Sequence, residues 1–170
     1  MFRALDKEFT QWKQAFLEAV PGKTGEYLRN RLYGYVCGKR VRVLKGVVLH
    51  HPTRLKIGDF AGISSGTQIN AAGGVQIGNN VLIGPHCIIW SQNHRYEALD
   101  IEIRKQGYEY KSVVIEDDVW IGASSVILPG VTLMRGTVVA AGAVVVRSTT
   151  EGVVVAGIPA KPISSRRATV

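Results

Sequence analysis

The residues best suited to chemistry near neutral pH are few in this 170-residue chain, and they are unevenly placed. Four histidines occur: His50 and His51 side by side before Pro52, His86 in Gly84-Pro85-His86, and His94 directly after Asn93. An imidazole, with an unperturbed pKa of ~6.5, can take a proton from an attacking hydroxyl and return it later. His94 lies in the stretch Trp90–Gly122 together with Tyr96, Tyr108 and Tyr110 and the carboxylates Glu97, Asp100, Glu102 and Glu109. The two cysteines, Cys37 and Cys87, form neither a CxxC pair nor a zinc spacing, so a disulfide framework and a metal knuckle both lack support.

The elements that position these residues follow from an internal repeat. Aliphatic residues fall on every sixth position: Ile57, Ile63, Ile69; Ile77, Ile83, Ile89; and Ile115, Ile121, Ile127, Leu133, Val139, Val145, with Val43 and Leu49 as an earlier start. A looser row two positions earlier, Val75, Val81, Cys87, Val113, Val119 and Val131, supplies the alternation of very short strands. Six residues per flat side suit a triangular solenoid of stacked parallel strands. One repeat cannot bury its own apolar face, so several must stack to make a core. Gly58, Gly78, Gly84 and Gly122 follow an inward aliphatic, while Gly130, Gly136, Gly142, Asn79, Asn80, Asp117 and Asp118 fall near corners, where residues tolerant of positive φ belong.

From Ile57 onward, two irregularities break the count. Ala71-Ala72-Gly73-Gly74 adds two residues, which a corner absorbs, and the span from Ile89 to Ile115 holds twenty more than one repeat. The repeat resumes in phase, so a loop of about residues 91–112 is pushed out of the solenoid and carries His94 with it. A long loop on a rigid scaffold is usually functional or disordered, and three tyrosines argue against disorder. Before the repeat, Leu5, Phe9, Trp12, Phe16 and Ala19 recur at helical spacing, and Leu28, Arg31, Leu32, Tyr35 and Val36 suggest a second short helix after Pro21-Gly22. These give a helical N-terminal cap over residues 1–40 and a solenoid domain over 41–167, with the aromatic stripe expected in core or subunit contacts.

Charge adds a further constraint. Met1–Lys56 holds 12 Lys/Arg against 4 Asp/Glu, and Ile57–Val170 holds 9 against 9, so the whole excess of +8 lies in the first third. A solvated helix face accounts for such a block, and so does peripheral contact with anionic lipid. Nucleic-acid binding would rest on charge alone, without a basic groove studded with aromatics or a recognisable motif, and is not expected. No run approaches the ~20 apolar residues of a membrane span, and MFRALDKEFTQWK lacks a secretory apolar core, so a cytoplasmic location is expected.

The repeat, the Asn93-His94 pair on its loop, Val119-Trp120-Ile121-Gly122-Ala123, Leu128-Pro129-Gly130-Val131 and the ending Ala156-Gly157-Ile158-Pro159-Ala160-Lys161 together resemble the hexapeptide-repeat acyltransferases. The resemblance covers roughly Val41–Arg167 and is closest to the sugar O-acetyltransferases of galactoside, maltose, nodulation-factor and colanic acid or capsule type. The helical entry Pro21–Arg29 points weakly to the polysaccharide branch. It implies a left-handed parallel β-helix, an all-β solenoid, with acetyl-CoA as donor, a homotrimeric assembly and a saccharide acceptor, free or lipid-linked.

By the same resemblance His94 is the catalytic base of a direct transfer without a covalent enzyme intermediate, and Asn93 and His86 are acceptor contacts. His86 stands where relatives often carry asparagine, and a structural role at a coil corner is the alternative. Ala123, Ala141, Arg147 and Lys161 match positions that line coenzyme A or meet its phosphates. Val146-Arg147 departs from the Thr-Lys frequent in relatives, keeping the charge and losing a hydroxyl. Trp120 would flank the coenzyme A arm or pack between subunits. An oxyanion donor, most simply a backbone N–H, and a carboxylate orienting His94 are required, and the sequence singles out neither.

No metal is expected: the zinc carbonic anhydrases of this fold need three converging histidines, and two of the four here are neighbours at a turn. N-acetylation of a nucleotide-linked amino sugar and O-acetylation of an antibiotic remain alternative activities. A non-catalytic scaffold would keep the sixes but has no reason to keep both the histidine loop and the C-terminal motif.

Overall fold

The computed structural model describes residues 2–166, with side chains from Glu8 onward. Met1 and Arg167, the outer bounds of the two expected segments, lie outside the described residues, as does the side chain of Leu5. The chain is a left-handed parallel β-helix with a helical cap at one end. Short strands stack on three flat faces. The first face holds Val36–Cys37, Leu55–Ile57, Val75–Ile77, Val113–Ile115 and Thr132–Leu133. The second holds Arg42–Val43, Gly62–Ile63, Leu82–Ile83, Trp120–Ile121, Val138–Val139 and Val153–Ala156, and the third holds Val48–His50, Gln68–Asn70, Ile88–Trp90, Val126–Ile127 and Val144–Val145.

Parallel register places each inward aliphatic on its equivalent one coil away, as in Ile57 on Ile77 on Ile115 on Leu133. All fourteen aliphatics of the sixfold row, Val43 and Leu49 included, are buried, and the row two positions earlier is buried with them. Among the described residues, no buried side-chain nitrogen or oxygen lacks a hydrogen-bond partner. Ladder bonds run between coils, and at the corners side chains add to the backbone bonds. On the edge from first to second face, Asp59 Oδ1 accepts from the Lys39 N–H at 2.7 Å, Asn79 Oδ1 from Asp59 at 2.8 Å and Asp117 Oδ1 from Asn79 at 2.6 Å. Each Asx side chain thereby satisfies the backbone of the coil before it.

The cap is two helices, α1 over Phe2–Ala19 and α2 over Gly22–Leu32. The second helix ends short of Tyr35 and Val36, and Val36–Cys37 already pairs with Leu55–Ile57 as a strand. The expected aromatic stripe does not enter the core of this chain: Phe9, Trp12 and Phe16 are 72%, 71% and 60% exposed, whereas Leu17, one position off the stripe, is buried. Leu17 packs into the core from α1, and a further contact that joins cap to solenoid leaves no apolar pattern, because it is made by a charged residue. Arg29 is fully buried, its Nε donating to Val43 O and its Nη1 to Leu17 O and Val20 O, each at 2.7 Å. The C-terminal carbonyls of α1 carry the negative end of the helix dipole, which offsets the guanidinium charge in place of a carboxylate. Gly25 is required beside it, since a Cβ there would strike Val20 O and the Arg29 guanidinium.

Arg29→Met, close in volume, strands three buried carbonyls and is expected to cost about 3 kcal/mol, lowering the melting temperature by on the order of 10 °C in a circular dichroism melt. A change under about 2 °C would show that the cap is held some other way.

Candidate functional site

The loop that interrupts the repeat leaves the solenoid at the edge from third to first face, and its root is built into the coil. Ser91 N donates to Asn70 O, Ser91 Oγ donates to the same carbonyl at 2.7 Å and accepts from Gly73 N at 2.9 Å, and Lys111 N returns to Ser91 O at 3.0 Å. The two-residue swelling therefore has a use: Ala72 N and Gly73 N, at its middle, bind Asn70 Oδ1 and Ser91 Oγ beneath the loop. Beyond the root, Gln92–His94 pairs antiparallel with Tyr108–Tyr110, His94 opposite Tyr108. The loop is thus a two-stranded arm with a short 3-10 turn at Ile103–Lys105, closed by Gln106, whose side chain binds the Ala98 and Ile101 backbones.

His94 stands exposed on that arm with its ring against Tyr108, centroids 4.4 Å apart and planes tilted by 41°. Asn93 Oδ1 accepts from the His94 N–H at 3.1 Å. None of the four candidate carboxylates hydrogen-bonds the imidazole. Glu102 pairs with Lys105 and Glu109 with Lys111, and Glu97 accepts from the Tyr96 N–H. The partner that restrains the ring is Tyr108, which the sequence showed only as part of the loop's composition. Asn70, Trp90, Gln92, Asn93, His94 and Tyr108 line a pocket of about 260 Å³ at this edge.

The other named residues occupy a different edge. His86, Ala123 and Ala141 follow strands of the second face in successive coils, at the corners leading to the third face. Their stacking shows in the hydrogen bonds Ser124 N to Pro85 O and Gly142 N to Ala123 O. His86 has a left-handed φ of 57° and its ring covers Gly66, where a Cβ would collide with the imidazole. Lys161 lies beside this edge, since it pairs with Ala156 and Ala160 N binds Val144 O. Trp120 projects from the second face, 55% exposed, above a pocket of about 320 Å³ shared with Arg42, Phe60 and Leu82. Arg147 follows Val144–Val145 and belongs to the edge of the histidine arm. Within one chain the third face, roughly 15 Å wide, separates His94, Asn93 and Arg147 from His86, Ala123, Ala141 and Lys161.

Neither thiol is set up as a nucleophile. Burial raises the pKa of Cys87, whose Sγ donates to Gly122 O at 3.1 Å, and burial raises that of Cys37 too. His50 and His51 turn a corner, with His51 at φ 55°. Among the described residues no group of three His, Cys, Asp or Glu side chains is placed to hold a metal ion.

Comparison with known proteins places this geometry. Residues 112–147 match the model described as bacterial transferase hexapeptide (six repeats). A putative colanic acid biosynthesis acetyltransferase of Escherichia coli is 29% identical over 136 residues, 80% of this chain and 72% of that protein. A 2,3,4,5-tetrahydropyridine-2,6-dicarboxylate N-acetyltransferase of Clostridium perfringens is 64% identical over 52 residues, 31% of this chain and 22% of that one. A hexapeptide-repeat-containing acetyltransferase of Vibrio cholerae, solved with acetyl-coenzyme A, superposes with a TM-score of 0.83 at 29% identity, covering 94% of this chain and 86% of that one. The chain spans 41% to 44% of the length of the first curated relatives it matches. In its repeat and its fold the chain is similar to the hexapeptide-repeat acetyltransferases.

Because Ser91 and Lys111 already meet at the root, replacing residues 92–110 by two glycines is expected to leave the far-ultraviolet spectrum and the melting temperature of the solenoid within a few degrees of the native values. A collapsed or aggregated product would mean that the arm is part of the core.

Proposed function

We propose that the chain is an acetyl-CoA-dependent O-acetyltransferase that modifies a hydroxyl of a saccharide, with His94 as general base. The observation that carries this reading is the exposed His94 imidazole, held against Tyr108 on an arm that leaves an otherwise uninterrupted solenoid. The acceptor hydroxyl gives its proton to His94 as its oxygen attacks the thioester carbonyl. The tetrahedral oxyanion then collapses, the C–S bond breaks, and the imidazolium returns the proton to the departing coenzyme A thiolate. Tyr108, rather than a carboxylate, fixes the ring. Direct transfer suits a chain whose two thiols are held protonated by burial.

The donor lies along the edge of Ala123 and Ala141, where small side chains admit the thin pantetheine arm, with Lys161 and Arg147 meeting phosphates. Trp120 flanks that arm. Asn93 and His86 contact the acceptor. Since the third face separates the two groups of residues, one site needs the His94 edge of one copy set against the Ala141 edge of the next. A homotrimer about an axis that lies outside each chain, roughly parallel to its coils, does this at three equivalent grooves.

The likeness to the colanic acid protein supports an acceptor in surface-polysaccharide synthesis at the inner membrane face. The basic N-terminal third and the exposed Phe9, Trp12 and Phe16 of α1 support peripheral lipid contact there, in a cytoplasmic protein. Among the described residues no helix is long and apolar enough to cross a membrane. N-acetylation of an amino sugar is the second reading, favoured by the likeness to an N-acetyltransferase.

Release of coenzyme A thiol from acetyl-CoA, measured with sugar and amino-sugar acceptors, is expected to require a hydroxyl acceptor. His94→Ala is expected to lower it by about 10²- to 10⁴-fold while calorimetric acetyl-CoA binding is unchanged. Turnover that survives the substitution refutes the base assignment, and turnover only with amines selects the second reading. In vesicle flotation, binding to anionic but not zwitterionic vesicles is expected at low salt, and no binding to either ends the membrane assignment.

A further inference from the structure

A cavity of about 610 Å³ lies where α1 crosses the third face of the first coil, walled by Phe9, Leu17, Tyr33, Leu49 and Pro52, with His50 also in its lining. Its volume falls within the range of small-molecule sites, and its walls are mostly apolar. It is not isolated from the histidine arm. His50, Asn70 and Trp90 stand in register on successive coils of the third face. The rings of His50 and Trp90 meet edge to face at 5.7 Å over Asn70, which is only 6% exposed. Trp90 in turn lines the pocket of about 260 Å³ that holds His94. A polar pocket beside the base and a larger apolar cavity under the helix are therefore joined along one edge by two touching rings.

We propose that this pair of cavities binds an amphiphilic acceptor, a saccharide bearing an apolar aglycone. The sugar would occupy the pocket beside His94, where the side-chain amides of Gln92 and Asn93 match hydroxyl groups and the buried Asn70 holds the floor. The aglycone crosses the His50–Trp90 bridge and buries its chain against Phe9, Leu17, Leu49 and Pro52. A free monosaccharide would fill the smaller pocket and leave the apolar cavity without a function. Burial of alkyl carbons there removes apolar surface from water, so the chain contributes affinity that the sugar alone does not have. The proposal rests on the reading of His94 as the site of sugar acetylation, and it concerns which saccharides are taken.

The test is calorimetry without acetyl-CoA, using matched methyl and octyl glycosides of glucose, galactose and maltose below the micellar concentration. The octyl member of at least one pair is expected to bind about tenfold tighter or more. Thr10→Trp, which fills the cavity from α1, is expected to remove that advantage and leave methyl glycoside binding unchanged. Lys13→Trp, from an exposed position of the same lining, serves as the second variant if Thr10→Trp lowers the melting temperature. Equal affinity across every pair overturns the proposal, and so does an octyl advantage that survives both variants. The outcome separates from that of the acetylation reading. A chain-dependent affinity with no turnover keeps the cavity and sinks the reaction, while turnover with identical KM for methyl and octyl acceptors keeps the reaction and sinks the cavity.

Discussion

No coil of this protein can bury its own apolar face, and that constraint organises the molecule. Each turn of chain contributes one or two inward side chains per flat side, and each parallel strand of the coils is two to four residues long with its hydrogen bonds directed to neighbouring coils. Stability comes from repetition in register, so a side chain of the wrong size would be felt above and below as well as in its own layer. The regular interior fixes the outward positions closely, which is what a site assembled from different coils requires. Ser91 can hold the root of a twenty-residue excursion because Asn70 and Gly73, one coil away, cannot drift.

A stack of open coils also has two ends with unpaired ladder groups, and the chain closes each differently. At the top, Lys161–Ser165 folds back antiparallel on Val153–Ala156, and Arg166 reaches Asp118 at 2.7 Å. At the bottom the two helices lie across the first coil. There the buried Arg29 does three tasks at once: it ends α1, anchors α2 and satisfies Val43 O. Tyr33 adds a hydrogen bond to Val47 O, and burial raises its pKa well above the ordinary tyrosine value, so its hydroxyl stays a donor.

What could be read from the sequence divides along this same line. Period six survives in the sequence because every inward position is filled by the same kind of residue, and the excursion near His94 showed as a missing count. The arm itself left no signature, since Gln92–His94 and Tyr108–Tyr110 are separated by thirteen residues without a hairpin turn dipeptide. The ring partner of His94 was hidden for that reason. Arg29 was hidden for another: burial of a cation satisfied by three carbonyls has no pattern in residue types, and Arg31, at a plausible helical position, is exposed instead. The third omission was the separation of the named residues onto two edges, which depends on which corner each sixth residue turns.

The column of Asx side chains on the edge from first to second face gives the solenoid a translational symmetry. Asp59, Asn79 and Asp117 each accept from the backbone of the coil before, and the N–H groups of Asp59 and Asn79 go to the Asx side chain of the coil after, so the middle coils present the same two surfaces to their neighbours. A gene segment encoding one full coil could be duplicated or lost and the column would close again unchanged. An insertion of one or two residues on that edge would instead leave an N–H facing no acceptor. Lengthening by whole coils is therefore open to this architecture, while piecemeal growth is disfavoured on the Asx edge and was accommodated instead at the corner where the histidine arm leaves.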